Sequence, residues 1–399
     1  MAHYLSAQDV CDRLGIKEAT LYAYVSRGMI RSEVDNPAAR TRRYLAEDVD
    51  KLLARKEQRR DPAKVVEDAL HWGVPLLDSA ITLITDNRLY FRGQDADDLA
   101  RHQSFESVTA LIWLDDPQAA PELFDQPVPP MSGLALPPHL PFMPALQVAL
   151  ALASTQDFAA YDVSASGVAR TGARILTLMV QVLAQSSVSA SLSQTLAAAW
   201  GTDASPLLNA ALVLCADHEL NASSFAARVA ASVDANPYAV VQAGLAVLQG
   251  AKHGGYTARV TALLREIDGY PSVQQAVVER LRRGDDLPGF GHRLYPAGDP
   301  RAQTLMTLLA EIEPDSPALA LSVEIAETVT AMTGKQPTID FALATLERAL
   351  RLPDGAALAL FALGRTVGWL GHAIEQYPSP HIIRPRARYV GRSPLDRHS

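Results

Sequence analysis

The stretch Ala356–Gln376 reads AALALFALGRTVGWLGHAIEQ, and its apolar residues recur at intervals of three and four, which is the helical period. The same pattern recurs in other long segments rich in Ala, Leu and Val: Ala169–Ala184, Ala190–Trp200, Leu207–Cys215, Ser223–Val233 and Ala239–Gln249. Strand-like alternation is scarce, and its best candidate is a hairpin over Ile81–Phe91 that turns at Asp86 and Asn87. The pattern therefore predicts an all-α body.

One arginine interrupts the apolar stretch. Arg365 would be buried in such a helix, and an unpaired buried guanidinium is very costly. On the same helix face it would be joined by His372 and Glu375. The pattern indicates that Glu375, another neighbour or an anionic ligand neutralises Arg365.

A second arginine follows a helix start signal. Asp299 and Pro300 suit the N-cap and the first helical position, which puts Arg301 in the first turn. There the side chain lies beside free backbone N–H groups, an arrangement that suits a carboxylate. Histidines, glycines and acidic residues interrupt the apolar segments elsewhere, at Asp217-His218-Glu219, Lys252-His253-Gly254-Gly255, Gly289–Arg293 and Ile339-Asp340-Phe341. Together these residues predict an anion-binding site that carries imidazoles and a carboxylate.

Composition narrows the class of protein. Of the 399 residues, 48 % are hydrophobic and 20 % charged, which excludes wholesale disorder. Two cysteines, Cys11 and Cys215, are too few for a disulfide framework or a four-ligand zinc site, so we expect no metal. Neither a signal peptide nor an uninterrupted apolar stretch of ~18 residues is apparent. We therefore expect a soluble, cytoplasmic protein with no membrane partner.

Charge divides the chain into a basic head and an acidic body. The formal charge is +3 over residues 1–60 and −11 over the remainder, within a total of −8. This asymmetry predicts two domains with different partners, residues 1–60 and residues 61–399.

The head carries signals for consecutive short helices. Ser6–Asp9 has the form of a capping box, Gly15 ends the first helix, and a second runs from about Lys17 to Arg27. A loop and a third helix over about residues 46–56 follow. The motifs Tyr4-Leu5-Ser6, Leu14-Gly15-Ile16, Thr20-Leu21-Tyr22 and Arg43–Val49 resemble the MerR/excisionase type of winged helix-turn-helix. This resemblance implies DNA contacts by Tyr22, Arg27, Arg40, Arg42 and Arg43. The alternative is a helical hairpin used for packing or dimerisation.

The body carries many short motifs in a familiar order. They are Asp78–Thr82, Tyr90–Gly93, Ser104–Val108, Ala216–Ser223, His253–Gly255, Gly289–Tyr295, Asp299–Ala302, Ile339–Phe341, Gly364–Trp369 with His372 and Glu375, and Arg384–Gly391. With them, the chain resembles the citrate synthase family from about Asp61 to Gly391. The resemblance implies a homodimer with a two-domain helical fold. The large subdomain would span about residues 61–255 and 353–399, and the small subdomain about residues 256–352.

The resemblance also implies roles for the residues singled out above. Asp340 would be the base that deprotonates acetyl-CoA, and His253 would stabilise the enol. His292 would polarise the carbonyl of oxaloacetate, the second substrate. The remaining family positions would bind this dianion: His218, Arg301, Arg365 and, from across the dimer, Arg384. The family uses acyl-CoA as substrate, and no metal or redox cofactor is implied.

Departures from the family pattern fall near the acyl-CoA. The usual Gly-Pro-Leu-His-Gly-Gly-Ala-Asn is Gly250–Thr257 here, with Ala251-Lys252 and Tyr256-Thr257 replacing two pairs. Pro296 stands where the family has Lys, and Ala342-Leu343-Ala344 where it has Tyr-Ser-Gly. Two alternatives therefore stay open. One is a 2-methylcitrate synthase that uses propionyl-CoA. The other is a DNA-binding regulator whose body senses oxaloacetate, citrate or CoA thioesters.

Overall fold

A computed structural model describes residues 4–27, 29–36, 41–46, 48–49, 52, 77–128, 137, 140–188 and 190–392. The chain divides into two compact units, Met1–Asp78 and Ser79–Ser399. The predicted domain boundary at residues 60 and 61 lies outside the described residues. It therefore stays a prediction.

The N-terminal unit combines two helices with a small sheet. Its elements are β1 (Tyr4–Leu5), α1 (Ala7–Leu14), α2 (Glu18–Ser26), β2 (Ser32–Asn36) and β3 (Thr41–Leu45), with an antiparallel sheet in the order β1-β3-β2. The Ser6–Asp9 capping box is present, and Gly15 caps α1 with a left-handed φ of 57°. Apolar side chains from both helices and the sheet form one core: Val10, Leu14, Leu21, Ile30, Tyr44 and Val49.

Two predictions for this unit need comment. Arg42 and Arg43 lie in strand β3, not in a loop, because Tyr44 beside them is buried in the core and β3 pairs with both other strands. Of the predicted third helix, the described residues Ala46, Asp48, Val49 and Leu52 are helical. The rest of that helix, and Arg40, lie outside the described residues.

The body unit begins with an antiparallel sheet in the order β4-β5-β6, made of β4 (Thr82–Thr85), β5 (Arg88–Phe91) and β6 (Gln94–Asp95). The predicted hairpin is confirmed, and Asp86 and Asn87 turn with φ of 50° and 58°. Helices form most of the remaining described structure: α3 (Ala96–His102), α4 (Phe105–Leu114), α5 (Ala120–Phe124), α6 (Phe142–Ala153), α7 (Ala165–Ala184), α8 (Leu192–Ala199), α9 (Ser205–Cys215), α10 (Ala222–Ala231), α11 (Pro237–Leu248), α12 (Tyr256–Asp268), α13 (Val273–Arg283), α14 (Pro300–Ile312), α15 (Pro317–Thr333), α16 (Ile339–Ala349) and α17 (Ala356–Gln376).

Two hydrophobic cores stabilise the body. The larger surrounds α17, which packs against α7, α9, α10 and α11. The smaller joins α12, α13, α15 and α16 through side chains such as Val260, Val277, Ile325 and Phe341. The body is thus mostly helical, and the division into subdomains near residues 256 and 352 stays a prediction.

Helix α17 is central to this architecture. Among the described residues it alone is long and apolar enough to cross a membrane, but 89 % of its most apolar window is buried inside the protein, as in a core helix. Two glycines let it approach α9 and the loop that follows. A Cβ at Gly364 would lie 2.6 Å from the Leu212 carbonyl oxygen, and one at Gly368 would lie 2.3 Å from Asp217 Oδ1. The backbone N–H of Gly368 donates to the Ala216 carbonyl at 2.8 Å, which fixes the loop that carries His218.

Candidate active site

The buried arginine of α17 has an incomplete set of partners. Arg365 is 1 % exposed, and its Nε donates to the Cys215 carbonyl at 2.8 Å. Within the described part of the chain, its Nη2 has no hydrogen-bond partner. Glu375 does not neutralise it, because that carboxylate accepts from the Ala80 N–H at 2.8 Å and lies 3.6 Å from Arg228 Nη1. Of the three alternatives left open by the sequence, an anionic ligand is favoured.

Arg301 differs from Arg365 in having a carboxylate partner. Its guanidinium binds Asp299 through two bonds, Nε to Oδ1 at 2.9 Å and Nη2 to Oδ2 at 2.7 Å. Asp299 is also the predicted N-cap of α14 and accepts the Arg301 N–H at 3.1 Å. A further bond, from the Ile339 N–H to Asp299 Oδ2 at 3.0 Å, ties this pair to the start of α16. Asp299 thus compensates the charge of Arg301, which the sequence did not indicate.

Three rings pack together beside these arginines. The ring centroids of His218 and His292 lie 5.3 Å apart, and Tyr295 lies 5.0 Å from His292. His218 Nε2 and the Tyr295 hydroxyl are 3.0 Å apart. The site therefore gains Tyr295, which the sequence analysis gave no role although it ends the Gly289–Tyr295 motif.

Burial and positive charge keep both imidazoles neutral. Burial, then the charges of Arg301 and Arg365, lower the pKa of His218 well below its ordinary value. The pKa of His292 falls to about 4, mainly through burial and then through Arg301. His292 Nδ1 accepts the Leu294 N–H at 3.2 Å, so the proton of the neutral ring lies on Nε2. His292 can therefore donate a hydrogen bond from Nε2 near neutral pH.

His253 lies beside a serine and a tryptophan. Its Nε2 is 2.8 Å from Ser223 Oγ, which also accepts from Trp369 Nε1 at 3.1 Å. Burial and the charge of Arg365 lower the pKa of His253 to about 4. Ser223 was part of a quoted motif, but only the fold shows that it contacts His253.

The carboxylate of the site has a hydroxyl partner. Asp340, the second residue of α16, accepts from Thr257 Oγ1 through Oδ1 at 2.6 Å. Burial raises the pKa of Asp340, against opposing effects of the Thr257 hydrogen bond and the charge of Arg301. The charge of Arg301 acts on Asp340 and both ring histidines, and the charge of Arg365 acts on His253 and His218. These effects group the predicted residues into one site.

Arg384 is not joined to this group. It lies exposed in an irregular segment after α17, and within the described residues it has no hydrogen bond or ion pair. Its action across a dimer stays a prediction. A search of the described residues for three or more clustered His, Cys, Asp or Glu side chains suited to a metal ion found none.

The predicted DNA-contacting residues belong to the N-terminal unit. Tyr22 is 54 % exposed, and Arg27 and Arg42 are also exposed. Arg42 Nη1 donates to Ser32 Oγ at 3.2 Å. Arg43 is exposed as well, but it forms an ion pair of 3.2 Å with Glu33.

Comparisons with known proteins bear on the body. The sequence pattern described as "Citrate synthase, C-terminal domain" matches residues 69–386. Citrate synthase 2 of Bacillus subtilis is 30 % identical over 355 residues, which cover 80 % of this chain and 94 % of that protein. The chain belongs to the citrate synthase family. This confirms the predicted family and makes the protein an enzyme of the acyltransferase type.

Further relatives agree with this membership. Citrate synthase of Haloferax volcanii is 38 % identical over 190 residues, 47 % of this chain and 50 % of that protein. The crystal structure of citrate synthase from Thermotoga maritima superposes with a TM-score of 0.69 at 26 % identity, over 82 % of this chain and 98 % of that one.

A ternary complex offers a second structural comparison. Citrate synthase from Thermoplasma acidophilum, bound to carboxymethyl coenzyme A and oxaloacetate, has a TM-score of 0.66 at 24 % identity, over 82 % of this chain and 96 % of that one. The fold is thus the mostly helical citrate synthase fold. Family membership is also consistent with the prediction that no cofactor is needed beyond the acyl-CoA substrate.

Proposed function

We propose that this enzyme condenses acetyl-CoA, or a related acyl-CoA, with oxaloacetate. The observation that carries the proposal is the Arg365 guanidinium, which is buried and whose Nη2 lacks a partner among the described residues. An anion that fills this position would be stabilised by Arg365 and approached by the neutral rings of His218 and His292. Oxaloacetate, a small dianion with a carbonyl group, fits these groups, and the Thermoplasma relative binds it.

In the proposed reaction, His292 activates oxaloacetate. Its Nε2–H donates to the ketone oxygen, because Nδ1 already accepts the Leu294 N–H. As the new carbon–carbon bond forms, this oxygen becomes basic and takes the proton. A neutral imidazole suits the task because donation needs no prior protonation of the ring near neutral pH.

Asp340 acts as the base on the acyl-CoA. It removes a proton from the carbon next to the thioester carbonyl, and its raised pKa brings its basicity closer to the operating pH. The enolate oxygen is stabilised by His253. The new bond joins the enol carbon to the ketone carbon, and water then hydrolyses the citryl thioester and releases the CoA thiol.

The hydrogen bonds around His253 suit this role. Ser223 Oγ lies 2.8 Å from both His253 Nε2 and Asn221 Oδ1. Asn221 Oδ1 already accepts the N–H groups of Ser223 and Ser224, so we assign the serine proton to His253 Nε2. The imidazole then carries its own proton on Nδ1, which is free to donate to the thioester oxygen.

Thiol release from acetyl-CoA and from propionyl-CoA, measured with purified protein and oxaloacetate, tests the proposal. Oxaloacetate-dependent release with acetyl-CoA is expected, and none should occur when oxaloacetate is omitted. Faster release with propionyl-CoA would favour a 2-methylcitrate synthase. Calorimetric binding of oxaloacetate without turnover of either thioester would contradict the enzyme and favour the sensing regulator.

The proposal includes a homodimer in which Arg384 contacts the partner's substrate. Its support is the exposure of Arg384 in the segment after α17. Inactive Arg384→Leu chains mixed with inactive Asp340→Asn chains should regain part of the activity, because one site in the heterodimer is complete. No recovery in verified heterodimers would mean that Arg384 serves its own chain's site or none.

We infer a second function, DNA binding, for residues 1–60. The support is the succession of α1, a Gly15 turn and α2, on which Tyr22 is exposed, together with exposed Arg27 and Arg42. With a local charge of +3, most of the affinity would come from contacts between arginines and phosphates.

The salt dependence of binding tests this function. Arg42→Ala should reduce the slope of log affinity against log salt by about one and weaken binding to all sequences alike. Arg170→Ala, which removes an exposed body arginine bound to Asp162, is the control and should not change the slope. A genomic selection at physiological salt that enriches no sequence would leave this unit as a packing or dimerisation element.

A further inference from the structure

The proposed base has one side-chain partner that the mechanism has not used. Thr257 is 1 % exposed, and its hydroxyl donates to Asp340 Oδ1 at 2.6 Å. Within the described residues no side chain donates to Oδ2 of the same carboxylate. The hydrogen bond therefore distinguishes the two oxygens, and it leaves Oδ2 as the one that can take a proton.

Thr257 also belongs to the turn that carries His253. The Tyr256 N–H donates to the His253 carbonyl at 2.8 Å, and the Thr257 N–H donates to the Gly254 carbonyl at 2.9 Å. Gly255 precedes α12, so Thr257 lies in its first turn. One short turn thus holds the imidazole at one end and, through the Thr257 hydroxyl, the carboxylate at the other.

A purely structural role does not account for this hydroxyl. Buried threonines elsewhere in the body donate to the carbonyl four residues earlier, as Thr345 does to Phe341 at 2.9 Å and Thr366 to Ala362 at 2.9 Å. Such bonds satisfy the hydroxyl within its own helix. Thr257 instead reaches from α12 to a carboxylate on α16.

We infer that Thr257 is a positioning residue for Asp340, which it orients towards the acyl-CoA and holds in the ionised form. This inference rests on the proposed function. It also gives a role to a departure noted in the sequence, because Thr257 stands where the family has Asn. Both side chains offer a hydrogen-bond donor at that position.

Other charged and titratable groups also act on Asp340, so the variants must leave them in place. They come from several elements and the loops beside them: Cys215, Tyr256, Asp299, Arg301 and Arg365. Thr257→Val removes the hydroxyl, keeps the shape of the side chain and changes none of these groups. Thr257→Ser restores a donor. Thr345→Val removes a buried hydroxyl of α16 that does not contact the carboxylate, and is the matched control.

The first measurement is the dependence of kcat/KM on pH. Activity is lost at low pH when Asp340 takes a proton, and a hydrogen bond to the charged form lowers the pKa of its acceptor. Thr257→Val should therefore move the acid limb up by about one pH unit and lower kcat about tenfold. Thr257→Ser should restore most of both. Thr345→Val should leave the limb in place.

The second measurement needs no turnover. Infrared difference spectra between each protein and its Asp340→Asn counterpart follow the carboxyl group directly as the pH changes. The midpoint should rise in Thr257→Val and return in Thr257→Ser. An unchanged midpoint in both variants would overturn the inference, whatever the activity. Absence of thiol release together with a shifted midpoint would instead contradict the proposed function and leave the Thr257–Asp340 coupling standing.

Discussion

The two halves of the candidate site are built on opposite principles. The oxo-acid half, made of His218, His292, Tyr295, Arg301 and Arg365, holds two guanidinium groups and neutral rings. The base half, made of Ser223, His253, Thr257 and Asp340, relies on hydroxyl hydrogen bonds. A dianion must be matched by buried positive charge. A carboxylate paired directly with a guanidinium, however, would be too weak a base, because an adjacent opposite charge lowers its pKa.

Asp299 and Asp340 show this difference within one protein. Burial raises the pKa of each, but the Arg301 ion pair reverses that effect for Asp299, whose pKa ends below its ordinary value. Asp340 has a hydroxyl in place of an ion pair, and its pKa stays raised. The two halves therefore predict different consequences when each is altered.

The largest effect is expected in the base half. Asp340→Asn keeps the size and polarity of the side chain but removes the base, so kcat should fall by ~10²–10⁴. Oxaloacetate affinity, measured by calorimetry, should stay nearly unchanged because the oxo-acid half is intact. An equal loss of affinity would show that the two halves are not separable, and normal turnover would contradict the role of Asp340.

A smaller effect, and a different one for each arginine, is expected in the oxo-acid half. Arg365→Leu removes a charge-assisted bond to the ligand and should weaken oxaloacetate binding about 100-fold with little loss of stability. Arg301→Leu leaves Asp299 buried without its partner and should lower the free energy of unfolding by about 3–5 kcal/mol. Calorimetry and urea unfolding measure the two quantities.

The paired variant Asp299→Asn with Arg301→Gln is the control for this contrast. It removes both charges, so no buried carboxylate is left uncompensated, and its stability should exceed that of Arg301→Leu. Equal loss of affinity and equal loss of stability at the two arginines would contradict the distinction drawn between them.

Local signals in the sequence were sufficient for much of the fold. The helical period of Ala356–Gln376, the hairpin turn at Asp86 and Asn87, and the Ser6–Asp9 capping box each depend on neighbours within a few residues. The N-cap role of Asp299 was predicted for the same reason. Strand β3 was missed because Thr41–Leu45 is short and pairs with two segments distant in sequence.

The pairings inside the site were beyond such signals. Arg301 and Asp299 are neighbours, but whether the guanidinium turns back to its own N-cap or out to a ligand depends on the tertiary environment. Glu375 shared the helix face with Arg365, yet it lies near Arg228 of α10. Thr257 and Asp340 are separated by 83 residues and meet only because α12 packs on α16.

The smallest expected effect concerns stability as a function of pH. His253 and His292 have pKa values of about 4 in the folded protein, against an ordinary value of 6.5. Between these values the unfolded chain binds protons that the native state does not, so stability falls as pH decreases from about 6.5 to 4. His253→Gln and His292→Gln should each make this decline shallower in urea unfolding. His102→Gln, which removes an exposed histidine bound to Asp98, is the control. A decline that stays as steep in both site variants as in the control would show that the two imidazoles are not the neutral donors on which both halves of the site depend.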